Sequence, residues 1–260
     1  MVELRDGERI DDLQAAGYRI IQHPARFCFG TDAVLLAHFA HAPKDAKWLD
    51  LGTGTGILPL LIAAHRPFAS FQALEIQPEA ADMAARSMEL NGLSGRIQVT
   101  CANILDAPGL FGTGAFDAAV CNPPYGKRGA ALQNPEDAKS IARHEVLITL
   151  PEIVQTASKL LRNGGRLFMI HQAERLVELL CLLRESRLEP KRVRLLYPRP
   201  GKNAHLVLVE AVKLGGSGCV FLPPLCIHDE QGRLNEETKR IYAGEQDILY
   251  PENKPKRRPL

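Results

Sequence analysis

From residue 46 onward the chain alternates between two hydrophobic periods. Short apolar runs predict strands: "AKWLDL" (46–51), "FQALEI" (71–76), "RIQVTCAN" (96–103), "AFDAAVCN" (115–122) and "RLFMIHQ" (166–172). The segments between them carry apolar residues at helical spacing. "ILPLLIAAHR" has Pro59 in its first turn, where a missing N–H does no harm, and "PEAADMAARSMELNG" opens at Pro78 and closes at Asn91-Gly92. "HEVLITLPEIVQTASKLLRNGG" (144–165) reads as one helix stopped by its Gly-Gly pair. "ERLVELLCLLRESRL" reads as another, with Leu176, Leu179, Leu180 and Leu183 on its apolar face. Two closing strands, "KRVRLLYP" and "AHLVLVEAVK", are separated only by "RPGKN", a hairpin-like return.

Strand–helix alternation with mostly apolar strands means a parallel sheet covered on both faces. The expected fold class is α/β: a Rossmann-like, seven-stranded, mostly parallel sheet with an antiparallel edge strand and helices on both faces. The expected organisation is an N-terminal segment over residues 1–45, the α/β domain over 46–215, and a C-terminal extension over 216–260 ending in the basic "YPENKPKRRPL". Composition adds limits. Hydrophobic residues at 45% and charged residues at 24% describe an ordinary globular core. A net charge of +2 is too small to imply a polyanionic partner by itself. No run reaches the ~20 apolar residues of a membrane span, and the charged "MVELRDGERIDDL" does not read as a signal peptide. Cys28, Cys101, Cys121, Cys181, Cys219 and Cys226 form no C-x-x-C pair. They read as free, mostly buried thiols of a reducing cytoplasm, and no metal site is expected.

The first candidate site is a turn. Asp50-Leu51-Gly52-Thr53-Gly54-Thr55-Gly56 follows the first α/β strand, and Glu75, with Ile76 beside it, closes the next one. In open α/β sheets ligands sit beyond the carboxyl ends of the strands, and an acid about twenty residues on can accept from ribose hydroxyls. The dinucleotide fingerprint G-x-G-x-x-G fails in both registers, because Ile57 and Pro59 stand where its third glycine is needed. The observed G-x-G-x-G suits a nucleoside carrying a small zwitterion, S-adenosylmethionine; the plainer alternative is a glycine-rich turn with no ligand. Asn103, after the third strand, is either a contact to a purine edge or a turn asparagine.

The second candidate site ends the fourth strand, at Asn122-Pro123-Pro124-Tyr125. Two prolines stop any ladder, since neither has an N–H to give. In this arrangement the fourth strand lies beside the first, so its tip faces the methyl end of the cofactor. An exocyclic amine is a poor nucleophile, because its lone pair is delocalised into the ring. Two acceptors on its two hydrogens would localise and aim that pair: the Asn122 side-chain oxygen and the Pro123 carbonyl. Tyr125 can stack on a flat base. A sulfonium carries its own leaving group, so positioning and electrostatics suffice.

These residues, Asp50 to Gly56, Glu75 and Asn122 to Tyr125, resemble those of the seven-stranded S-adenosylmethionine-dependent N-P-P-Y methyltransferases of adenine, guanine or protein glutamine. "YRIIQHPARFCFGTDAVLLAHFA" (18–40), "ARHE" (142–145), "HLVLVEAVK" (205–213) and "PPLCIHDEQGRLNEETKRIY" (223–242) are similar to the bacterial tRNA(Val) (adenine-N6)-methyltransferase family, which acts on the adenine beside the anticodon. The resemblance implies transfer to adenine N6 in tRNA, with S-adenosylhomocysteine as the other product. It also implies that Phe29, Gly30, Asp32 and Ala33 cover the methionine half of the cofactor, and a site-facing role for His144. From the residues alone, the same stretch reads as a core helix capped by Thr31 or Asp32, and His144 as a solvated cap. Of the basic clusters, Lys127 and Arg128 would contact phosphates beside the base pocket. Lys254, Lys256, Arg257 and Arg258 would attract RNA nonspecifically. Lys191, Arg192, Arg194, Arg199 and Lys202 read as a solvated face. The rival readings are a protein-glutamine methyltransferase, an RNA guanine-N2-methyltransferase, and a non-catalytic RNA-binding protein of the same fold.

Overall fold

The computed structural model describes residues 2–25, 28–123 and 148–245. An N-terminal hairpin, which the sequence pattern did not suggest, pairs β1 (Arg9–Asp12) with β2 (Arg19–Gln22) antiparallel. Then follow α1 (Thr31–Phe39), β3 (Lys47–Leu51), α2 (Ile57–His65), β4 (Ser70–Glu75), α3 (Pro78–Leu90) and β5 (Ile97–Cys101). A short α4 (Ala107–Phe111) leads to β6 (Phe116–Cys121). The later elements are α5 (Leu150–Leu160), β7 (Leu161–Gln172), α6 (Leu176–Glu185), β8 (Leu188–Tyr197), β9 (Leu206–Lys213), β10 (Val220–Phe221), β11 (Leu225–Cys226) and α7 (Glu236–Tyr242).

The main sheet runs β5-β4-β3-β6-β7-β9-β8, with the two-residue strands β10 and β11 both paired to β8. Every pair is parallel except those made by β9. Here one expectation is corrected: the antiparallel strand is not at the edge. β9 is inserted between β7 and β8. Its burial accords with that place: Val207 to Ala211 are all buried, and Glu210, the one charged residue among them, is paired with Arg166 and Arg192. A strand buried on both faces belongs inside a sheet. The more basic β8 takes the outer place.

Side-chain alternation sorts the sheet into two faces. Trp48, Phe71, Ala118, Val120, Phe168 and Ile170 point into a core closed by α1, α2 and part of α3. Leu49, Leu51, Leu74, Ala119, Cys121, Leu167 and Met169 point into a second core closed by α4, α5 and α6. In the first core Trp48 stacks between Phe71 (5.6 Å between ring centroids) and Phe168 (5.9 Å), while Phe39 of α1 meets Phe168 edge-on at 6.2 Å. Such pairs each add about 0.5–1.5 kcal/mol beyond the area they bury.

Three local expectations change. The helix read over 144–165 is helical only from Leu150 to Leu160 within the described residues. A capping box between Thr149 and Glu152 starts it just before Pro151. It stops ahead of the glycines because buried Leu161 is drawn into pairing with Phe116 of β6. The cysteines are all free, but only Cys121 is buried; Cys28, Cys101, Cys181 and Cys219 are exposed. Those four lie at loops, strand ends or outward helix positions, so an apolar neighbourhood in sequence did not make them core. Arg192 and Arg194 are not a solvated face either. Both project onto the inner side of β8, where Arg192 pairs with buried Glu210 and Arg194 with Glu237. Arg199 and Lys202 are exposed.

The glycine turn is packed as well as open. Gly52, Gly54 and Gly56 all have positive φ (80°, 56° and 90°). A side chain at Gly52 or Gly54 would meet open space, whereas a Cβ at Gly56 would lie 2.5 Å from the Met88 methyl and 3.3 Å from the Ala84 Cβ of α3. Gly56→Ala is therefore expected to destabilise the fold by about 1–3 kcal/mol through backbone strain and overpacking. Gly54→Ala should cost less. Denaturant unfolding of the two variants side by side checks the order.

Candidate active site

The strand order reverses between β3 and β6, which is where open α/β sheets place ligands. The pairing sets Asp50 of β3 opposite Val120 of β6, so Asn122 lies two residues beyond, at the carboxyl edge. Alternation puts Asp50 (after Trp48) and Asn122 (after Val120) on the α1 face of the sheet. Two residues 72 apart in sequence thus share one corner.

Around that corner the turn folds on itself and on β4. The N–H groups of Gly52 and Thr53 both donate to the Leu74 carbonyl, at 3.0 and 2.8 Å. Glu75 is buried, and its two oxygens accept from backbone N–H groups: Gly54 at 2.9 Å and Gln77 at 2.9 Å. A carboxylate oxygen can accept more than one bond, so acceptor capacity remains for a ligand. Ile76, half-buried, offers its carbonyl to the exposed Cys101 thiol at 3.8 Å. Asn103 uses its side-chain oxygen to cap a turn, accepting from Leu105 N–H at 2.9 Å.

Asp50 is the electrostatic anomaly. It is fully buried, and neither carboxylate oxygen has a hydrogen-bond partner; the buried Thr53 hydroxyl has none either. Burial pushes the Asp50 carboxyl up to about 7. The Thr53 hydroxyl, close but not in bonding geometry, opposes the shift, and the charge of Glu75 adds to it. Unpaired buried acceptors at a strand tip are what a donor-bearing ligand would satisfy. The neighbouring Cys121 is held as the neutral thiol by burial, reinforced by Asp50, so it is no nucleophile.

Asn122 is partly buried, and its Nδ2 donates to Asp32 Oδ2 at 2.9 Å. Asp32 stands in the first turn of α1, and its Oδ1 accepts from Ala33 N–H at 2.9 Å. Neither Thr31 nor Asp32 is the cap of this helix. Gly30 holds that position with extended backbone and no side-chain bond. Thr31 instead accepts from the Tyr242 hydroxyl of α7 at 2.8 Å. Phe29 is tied to the hairpin, its N–H donating to Gln22 Oε1 at 2.9 Å. The contacts from Gln22 and Tyr242 were not anticipated; no local pattern marks partners that meet from opposite ends of the chain. Pro123 is buried at the β6 tip. Pro124, Tyr125, Lys127, Arg128, His144, Lys254, Lys256, Arg257 and Arg258 lie outside the described residues. A cavity of about 200 Å³ among α1, α2, α7 and the β1–β2 loop takes in only Phe29 of the expected site residues. Among the described residues no cluster of His, Cys, Asp or Glu could hold a metal, and no helix is long and apolar enough to cross a membrane.

Residues 18–186 match the family described as "Methyltransferase small domain". A tRNA1(Val) (adenine(37)-N6)-methyltransferase of Porphyromonas gingivalis is 33% identical over 82% of this chain and 86% of its own length. One of Parabacteroides distasonis is 30% identical over 70% and 75%. Among solved structures, a predicted O-methyltransferase from Agrobacterium tumefaciens superposes with a TM-score of 0.68 at 26% identity, covering 82% of this chain and 96% of that one. A geranyl diphosphate methyltransferase in complex with SAM superposes at 0.52 with 16% identity, over 70% and 84%, and shares the fold.

The buried carboxyl makes a pH prediction. Asp50 has a folded value of about 7 against an ordinary 3.8. The native state therefore holds a proton that the unfolded chain releases, and this group makes stability fall as pH rises through that window. Asp50→Asn removes the titration. The ligand-free variant should gain on the wild type between about pH 4 and 7, by up to about 1.4 kcal/mol per pH unit. The gain should be flat above that window and absent below it. Denaturant unfolding across pH is the measurement.

Proposed function

This chain belongs to the methyltransferase small domain family, among the tRNA1(Val) (adenine(37)-N6)-methyltransferases, and on that premise we propose that it moves a methyl group from S-adenosylmethionine to the exocyclic N6 of the adenine beside the anticodon of a valine tRNA. The observation that carries the reading is the shared corner. Asn122 ends β6 on the same sheet face, and at the same switch point, as the Asp50 glycine turn of β3.

The residues present fit the cofactor. Gly52 and Gly54 leave open space where side chains would stand, and the unpaired oxygens of Asp50 and Thr53 await donors. Glu75, held by two backbone N–H groups, has acceptor capacity left for ribose hydroxyls. Ile76 and Asn103 border the purine side, and Phe29, Gly30 and Asp32 the methionine side. When bound, S-adenosylmethionine supplies an electrophilic methyl on a sulfonium that is its own leaving group. The chain's contribution is to aim the acceptor. Asn122 Oδ1 and the Pro123 carbonyl take the two amine hydrogens, localise the lone pair, and stabilise the positive charge that develops on nitrogen. Preorganised acceptors of this kind need no reorganisation as that charge forms.

The remaining assignments belong to the same reading. Tyr125 would stack on the adenine, with Pro124 stiffening the turn. Lys127, Arg128 and His144 would line the nucleotide, and Lys254, Lys256, Arg257 and Arg258 would contact RNA. Residues 1–45 would cover the cofactor, 46–215 form the catalytic domain, and 216–260 extend the RNA surface. A tRNA-modifying enzyme of this kind works in the cytoplasm.

Asn122→Ala is expected to abolish transfer while S-adenosylmethionine still binds; single-turnover assays and calorimetry separate the two. Glu75→Ala should raise the cofactor dissociation constant about tenfold or more, as the loss of charge-assisted bonds worth about 1.5–3 kcal/mol implies; calorimetry at unchanged affinity would remove Glu75 from the ribose site. The substrate is tested by incubating the protein with labelled cofactor and tRNA from a strain lacking the gene, then digesting to nucleosides. Labelled N6-methyladenosine is expected. Label confined to protein would favour glutamine methylation instead.

A further inference from the structure

The contact between Asp32 and Asn122 does more than the cofactor-covering role expected of Asp32. We propose that Asp32 is a positioning residue: its carboxylate decides which end of the Asn122 amide faces the substrate amine. The inference rests on the reading that Asn122 accepts from that amine.

The two ends of an asparagine amide are nearly the same size, but only the oxygen accepts. With the NH2 end forward, donors would face donors and the amine would be repelled. A carboxylate only accepts, so Asp32 Oδ2, 2.9 Å from Asn122 Nδ2, can bond one of the two orientations. The bonded orientation turns the oxygen away from Asp32. The charge-assisted bond also draws electron density toward that oxygen, which improves it as an acceptor.

Asp32 is itself fixed, so it cannot follow a flipped amide. Its Oδ1 accepts from Ala33 N–H at 2.9 Å, in the first turn of α1. The helix behind it is seated by buried Ala33, Val34, Leu35, Leu36 and Phe39. The preceding residue, Thr31, is held by the Tyr242 hydroxyl at 2.8 Å.

Asp32→Asn tests this with little change of shape. The new amide can still accept from Ala33 N–H, but its NH2 end then faces Asn122 and favours the flipped amide, with the Asn122 oxygen turned away from the substrate. We expect kcat on tRNA to fall about 100-fold, the scale of a misplaced reacting group. The KM for tRNA should be unchanged, and the dissociation constant for S-adenosylmethionine should rise far less than kcat falls. The exchanged pair Asp32→Asn/Asn122→Asp restores one donor facing one acceptor, and should be more active than Asn122→Asp alone, in which two carboxylates collide. A wild-type kcat in Asp32→Asn would overturn the proposal. So would a loss matched by weaker cofactor binding, or a double variant no better than Asn122→Asp. If Asn122→Ala itself stays fully active, the underlying reading fails. If Asn122→Ala is dead and Asp32→Asn is normal, only this inference does.

Discussion

Everything chemical in this chain depends on the register in which β3 pairs with β6. Asp50 meets Val120, and that single alignment brings the glycine turn and Asn122 to one corner. Side chains alternate strictly along a strand, so a slip of one residue would turn Asn122 into the opposite core. The register is secured by what lies on both faces. Trp48, locked between Phe71 and Phe168, fixes β3 on one side. Leu49 and Leu51 fix it on the other, against the α4–α6 layer. Ala118 and Ala119, small and fully buried, let helices approach β6 closely.

The same corner is where folding is locally opposed. Asp50 and Thr53 are buried without partners, and Glu75 brings a second carboxyl close by. An unpaired buried acceptor costs roughly 1–3 kcal/mol. The fold tolerates it because Asp50 can hold a proton near neutral pH instead of a charge. A site with vacant acceptors is less stable alone and gains when a donor-bearing ligand arrives. Local instability and ligand affinity are thus two sides of one arrangement.

Precision at Asn122 comes from elements distant in sequence. The hairpin is clamped to α3 by the bidentate Arg86–Glu8 pair and by Asn91, which both accepts from and donates to the Arg19 backbone. Gln22 then holds Phe29 at the approach to α1, and Tyr242 of α7 holds Thr31 at its first turn. Chain segments on either side of the α/β domain therefore fix the helix whose Asp32 grips Asn122. The terminal segments share one core with the sheet: Leu13, Ile20, Leu225 and Ile241 pack with Trp48 and Phe168.

The sequence by itself determined the seven strands of the main sheet, most of the helices, the parallel α/β class and the placing of both motifs at strand ends, because each is written in local periodicity, proline and glycine positions, and spacing; the short strands β1, β2, β10 and β11 are not. It determined equally that the dinucleotide register fails at Ile57 and Pro59. The family resemblance, carried by those motifs and the flanking segments, matched the relatives found. Tertiary structure alone decided that β9 goes inside β8, since insertion depends on which strand buries both faces. It alone moved the end of α5 to Leu160, where Leu161 is captured by β6. It exposed four cysteines, buried Arg194 and half-buried Arg192, because pairing with Glu237 and Glu210 outweighs the local preference of a basic run for water. It also turned Asp32 from a helix-capping candidate into the partner of Asn122, ninety residues away. Local pattern records what a residue prefers; which distant group satisfies that preference is settled only when the chain closes on itself.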